Sequence, residues 1–266
     1  MNSYNDKEEK IIEMIEGLIR NGVDAELIIS RFESKIFDLK KPELYFWFAK
    51  NVKGIDVKAH EQAVIDKRDP EWNYKFAKNV KGSDINAHGQ VIINSGSLEW
   101  NYKFAKDIKG ADVEAHERVI IRNGDPCYNY MFARYIEGAD VRAHGQAIIN
   151  SGDLEWNFNF AKNVRGSDVK AHGQVIKDSG DPEWNYKFAK YIDGIDTKSN
   201  GHGEAVINSC DLEWNYKFAR DIIGSDVRAH SNVVINNGDP EWNYKFARYI
   251  EGADVRAHGQ AIINSG

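Results

Sequence analysis

From Pro42 onward, apolar residues fall into two short blocks that alternate with a period of about 28 residues, each spaced at 3.6 rather than 2 residues. In the copy at 70–97, Trp72, Phe76, Ala77 and Val80 plot on one side of the first block, opposite Glu71, Lys75 and Lys78. In the second block Ile85, Ala87, Val91 and Ile92 share a side and Asn86 and Gln90 point away. Two polar residues break the pattern. Asn73 and His88 both fall inside the apolar faces.

Each block is bounded by helix signals. Asp69-Pro70-Glu71 supplies an N-cap, a proline at the first helical position and an early acidic side chain. The pattern predicts a helix over 70–81, ended by a left-handed Gly82, and a second helix capped by Asp84 and closed at Asn94-Ser95-Gly96. Neither helix can bury its apolar face alone, so each pair must lean on its neighbours.

Aligning on the Trp-Asn-Tyr core places eight copies at 42–69, 70–97, 98–125, 126–153, 154–181, 182–211, 212–239 and 240–266. A glycine fills the Gly82 slot and an aspartate the Asp84 slot in every copy. The sixth copy is longer because "TKSNGHGEAV" replaces "VKAHGQV". Residues 131–152 and 245–266 differ only at Met131 and Lys245, the mark of recent duplication. Residues 1–41 read as a helical hairpin, with Gly22 at the break and Asp24 as second cap, placed to cover the first repeat. The predicted fold is an all-α, right-handed α-solenoid: an N-terminal helical cap over 1–41 and eight two-helix repeats over 42–266. First helices carry Trp, Tyr and Phe and second helices Ala and Gly, so the second helices are expected on the concave side. The chain stops at Asn264-Ser265-Gly266 on a repeat boundary, which predicts self-association through Val255, Ala261 and Ile262, or a further repeat.

The paired short helices and the Asp-Pro-Glu opener at 69–71 resemble HEAT-type and leucine-rich-repeat-variant arrays, over roughly 42–266. The unit is shorter than a HEAT repeat of about 40 residues. The resemblance implies a curved helical scaffold that binds macromolecules and brings no catalytic residues with it.

Composition narrows the classes of function. With 42% hydrophobic and 12% aromatic residues the chain can bury a substantial core, and its net charge of −6 is not that of a basic nucleic-acid module. Cys127 and Cys210 occupy different slots, so they form no disulfide or metal framework and a reduced, cytoplasmic setting is expected. No apolar run of about 18 residues occurs, so no membrane span is expected.

One histidine per repeat (His60, His88, His116, His144, His172, His202, His230, His258) invites a metal or acid-base reading. Stacked helices lie about 8–10 Å apart, whereas zinc ligands must approach within about 2.1 Å. The histidines therefore read as buried core residues satisfied by a hydrogen bond, with the buried Asn73 class offering either a partner or a backbone-bonded ladder and Tyr45 standing in the asparagine slot of the first repeat. No metal or cofactor is expected. Trp72 and its counterparts read as a core stripe, and Tyr74 and its counterparts lie nearer the outside.

Two basic columns remain. The first helices carry Lys50, Lys78, Lys106, Arg134, Lys162, Lys190, Arg220 and Arg248 beside an acidic column headed by Glu43 and Glu71. The residue after each base varies: Asn51, Asn79, Asp107, Tyr135, Asn163, Tyr191, Asp221, Tyr249. That variation fits either a per-repeat readout or simple copying of cassettes. On the second helices Arg142, Lys170, Lys198, Arg228 and Arg256 point outward beside Gln146, Gln174 and Gln260. These eight are the expected partner-binding residues of a non-enzymatic scaffold whose partner is a protein. Nucleic-acid binding through the basic columns is the alternative, and an enzyme site at the 198–204 insertion, with His202 beside Glu204, the third.

Overall fold

Most repeat helices are kept from fraying by an aspartate at the N-cap, with Ser97 in that place before the first helix of the third repeat and no side-chain cap at Lys41 or Gly201. Asp181 accepts from the Trp184 N–H (2.9 Å) to open one helix, and Asp168 accepts from the Ala171 N–H (3.0 Å) to open another. The computed structural model describes residues 6–192 and 201–266, and within these the chain is an α-solenoid of eighteen helices with no strand. The hairpin is α1 (Asp6–Arg20) and α2 (Ala25–Leu39). The first helices of the repeats are α3 (Pro42–Asn51), α5 (Pro70–Asn79), α7 (Leu98–Asp107), α9 (Pro126–Tyr135), α11 (Leu154–Asn163), α13 (Pro182–Tyr191), α15 (Leu212–Asp221) and α17 (Pro240–Tyr249). Their partners are α4 (Val57–Lys67), α6 (Ile85–Ser95), α8 (Val113–Asn123), α10 (Val141–Ser151), α12 (Val169–Ser179), α14 (His202–Asn208), α16 (Val227–Asn237) and α18 (Val255–Asn264).

The first helices end sooner than the pattern predicts. α5 stops at Asn79 rather than Lys81, because Val80 turns to an extended conformation (φ −102°, ψ 116°) that drops its side chain into the core. Gly82, at φ +83°, then lies in the connecting turn rather than at the cap. The left-handed caps belong to the second helices, at Gly96, Gly152 and Gly180. Gly194 and Asp196, the sixth repeat's members of the Gly82 and Asp84 slots, lie outside the described residues.

The chain forms two compact units, Met1–Asn123 and Gly124–Gly266. In the first, Ile15, Ile28, Phe32 and Ile36 of the hairpin share one core with Leu44, Phe48, Val64 and Phe76. The second is built from one cluster repeated. Ala133 and Ile148 of one repeat close on Phe160 and Val164 of the next, and Ala219 and Val234 close likewise on Phe246 and Ile250. Every such cluster straddles a repeat boundary, so a lone repeat would leave half of its core in water. On α18, Val255 and Ile263 are exposed, and Ala261 and Ile262 are half-buried.

The caps give a direct test of this local logic. Asp168→Ala removes one capping bond from α12 and is expected to lower stability by about 1 kcal/mol. Urea unfolding followed by circular dichroism measures it; an unchanged midpoint would show that neighbouring helices hold α12 without its cap.

Candidate functional site

From the second repeat onward, the buried asparagine and histidine of each repeat meet in one hydrogen-bonded unit. The Asn101 amide donates to the carbonyls of Ile92 (3.1 Å) and Ser97 (2.8 Å), which ties the end of α6 to the start of α7. With both amide hydrogens committed, its oxygen is left to accept from His116 Nδ1–H (2.7 Å). The same latch recurs at Asn157 with His172 (2.7 Å) and at Asn215 with His230 (2.7 Å). Each imidazole also lies against the phenylalanine of its own repeat, as His172 does on Phe160 at 4.8 Å between centroids. The first repeat, with Tyr45 in place of the asparagine, reverses the tautomer. His60 Nδ1 has no partner and its Nε2–H donates to Glu33 (3.1 Å).

This arrangement fixes the chemistry of the ring. Burial lowers His88, His116, His172 and His230 to about 4, so they are neutral near pH 7. Because Nδ1 carries the proton, Nε2 presents a lone pair. What that lone pair meets is set by the residue after the preceding repeat's histidine, a slot that the sequence reading took only as a sign of narrow second helices. Glu61 Oε1, which accepts from the Asp84 N–H (2.6 Å), lies 3.2 Å from His88 Nε2, and burial raises the Glu61 carboxyl above its ordinary range. Ser231 donates to His258 Nε2 at 2.8 Å. The serine, histidine and Asn243 are in hydrogen-bond sequence, but Ser231 is 3% exposed and fills the place that Glu61 fills, which makes it a structural donor. Gly89 and Gly145 offer no donor at all, and His116 Nε2 and His172 Nε2 are buried without partners.

The first-helix column is engaged within the protein. Lys50, Lys78, Lys106, Arg134, Lys162, Lys190, Arg220 and Arg248 each lie over the aromatic ring four residues earlier, as Lys190 does over Tyr186 at 5.1 Å. The variable column adds links. Asp107 takes the Tyr74 hydroxyl and Lys78 Nζ (2.7 Å), and Asp221 takes the Tyr186 hydroxyl and Lys190 Nζ (2.9 Å). At Asn51 and Asn79 the amide instead caps its own helix, and Tyr191 receives Lys162 over its ring at 5.2 Å. The tyrosines thus serve packing between adjacent first helices, with Tyr74 against Trp100 at 5.3 Å.

The second-helix column is different. Arg142, Lys170, Arg228 and Arg256 are exposed, on α10, α12, α16 and α18, and their side chains make no ion pair or ring contact among the described residues. Lys198 lies outside the described residues. The glutamines are less available. Gln146 donates to Asn150 (2.8 Å), Gln174 to Asp178 (2.5 Å) and Gln260 to Asn264 (2.9 Å), each along its own helix.

At the insertion, His202 keeps the core role, buried and held by Asn185 (2.6 Å), while Glu204 is exposed. Among the described residues no group of three or more His, Cys, Asp or Glu is placed to hold a metal, and no helix is long and apolar enough to cross a membrane. Compared with known proteins, the chain matches no family model, no curated protein and no solved structure.

Proposed function

We propose that this chain is a non-enzymatic, HEAT-like repeat scaffold that works in the cytoplasm and holds an acidic segment of a partner protein along its second helices. The reading is carried by the contrast between the two basic columns. First-helix cations are committed to rings and carboxylates inside the protein, whereas Arg142, Lys170, Arg228 and Arg256 have no ion-pair or ring partner among the described residues. Free guanidinium and ammonium groups repeated at equivalent positions suit an extended acidic chain that engages several of them at once. The net charge of −6 weighs against nucleic acid, whose binding would draw on counterion release.

The test is affinity capture from the source cell with and without nuclease, followed by charge reversal. The triple variant Arg142→Glu, Lys170→Glu, Arg228→Glu is expected to weaken capture of the same protein by about tenfold or more, a loss of about 1.4 kcal/mol. Capture that vanishes with nuclease, or that is lost instead on Lys162→Glu with Lys190→Glu, would contradict the proposal.

A further inference from the structure

Independently of that reading, one member of the histidine series opens onto a cavity. A volume of about 560 Å³ is lined by Gly203, Glu204 and Ile207 of α14, Phe218 of α15, the turn Gly224-Ser225-Asp226, and His230 of α16. His230 is 1% exposed, and its Nδ1–H is committed to Asn215 (2.7 Å), whose amide is itself tied to the carbonyls of Val206 (3.0 Å) and Asp211 (2.7 Å). The ring is thus locked with the Nε2 lone pair on its other side. In the slot beside that lone pair stands Gly203: a Cβ built there would lie 3.7 Å from Nε2.

The other repeats show what this slot is for. Ser231 fills it with a hydroxyl donor for His258 and Glu61 with a carboxyl for His88. Gly89 and Gly145 leave it empty beside His116 and His172, where Nε2 is sealed from solvent. At Gly203 the donor is likewise missing, but both Gly203 and His230 line the cavity, so a donor can arrive from outside. Two carboxylates, Glu204 and Asp226, share the same lining, and Asp226 accepts from the Ala229 N–H (2.9 Å) while the Glu204 carboxylate has no partner among the described residues. Phe218 and Ile207 add an apolar wall.

We infer that this cavity is a binding site for a small organic ammonium ion, whose N–H donates to His230 Nε2 while Glu204 balances its charge and its alkyl stem lies on Phe218 and Ile207. The selectivity follows from the two acceptors. A lone pair and an unpaired carboxylate both reject anions and both accept from a cationic donor.

The probe is n-butylammonium chloride, added at pH 7.5 and constant ionic strength to protein labelled with ¹⁵N at histidine. The His230 Nε2 resonance is expected to shift saturably, with a Kd on the order of 1 mM, while the sealed His116 and His172 stay unmoved. n-Butanol, equal in shape and uncharged, and tetramethylammonium, charged and without an N–H, should each bind at least about tenfold more weakly, because each lacks one of the two interactions. Gly203→Ser, which places a hydroxyl where Ser231 has one, should abolish the response. Its Cβ lies 3.2 Å from the Phe218 ring, so the exposed-site variant Glu204→Gln, expected to weaken binding by about tenfold, provides a second reading that does not disturb the core. No saturable shift at His230, an equal response to n-butanol, or an undiminished response in folded Gly203→Ser or in Glu204→Gln would overturn the assignment.

Discussion

Acidification from pH 7 to pH 5 is expected to unfold the repeats, with several protons taken up per molecule. His88, His116, His144, His172, His202 and His230 are lowered to about 4 by burial, against an ordinary value of 6.5. The unfolded chain therefore binds protons that the folded chain refuses. Stability from this source is complete above the unfolded value, and it is lost as the pH falls from 6.5 toward 4. Near pH 5.5 each histidine contributes a slope of up to about 1.4 kcal/mol per pH unit, and the four of the second unit, His144, His172, His202 and His230, together give roughly 6. Against a usual stability of about 5–15 kcal/mol, a single pH unit is decisive. Asp107 and Asp221, held below the usual carboxylate range by neighbouring Lys78 and Arg220, add acid sensitivity only at lower pH. Urea midpoints measured at intervals from pH 7.5 to 4.5 check this. A midpoint constant to pH 5 would mean that the histidines titrate normally and are not buried as described.

The second large effect is expected at the asparagine of the latch. Asn157→Ala removes donors from the carbonyls of Ile148 (3.1 Å) and Asp153 (2.7 Å) and the acceptor of His172 Nδ1–H (2.7 Å). All of this lies in a fully buried site, where each unpaired polar group costs about 1–3 kcal/mol, so the loss should be roughly 3–5 kcal/mol. His172→Ala, which frees only the Asn157 oxygen and opens a cavity, should cost less. If thermal unfolding ranks the two the other way, the helix-tying role assigned to the asparagine is wrong.

The paired helices, their aspartate caps and the burial of Asn73 and His88 could be read from the sequence because each rests on local rules: spacing, capping chemistry and the placement of a polar residue within an apolar face. The same plot offered the asparagine either as the histidine's partner or as a backbone-bonded ladder, and the structure gives it both roles. The end of α5 did not, since only the neighbouring core can reward Val80 for leaving the helix. Nor did the pairing across repeats. The residue after each histidine runs Glu61, Gly89, Glu117, Gly145, Gly173, Gly203, Ser231, Gly259, a column that looks like small-residue packing until the next repeat's imidazole is placed beside it. Its signal was the intrusion of two glutamates and a serine among glycines. The two basic columns looked alike in sequence for a related reason. What separates them is the ring beneath each first-helix cation, four residues earlier and on the same face, a contact that helical spacing permits but only packing fixes.

The latch, the acid sensitivity and the ammonium site all depend on which nitrogen of each buried imidazole carries the proton. Long-range ¹H–¹⁵N correlation at pH 7.5 reads it directly. His116, His172 and His230 should all show Nδ1–H with an unprotonated Nε2, and His60, paired through Nε2 with Glu33, the opposite tautomer. Nε2–H tautomers at His116 and His172, or imidazolium rings at that pH, would contradict the latch and everything derived from it.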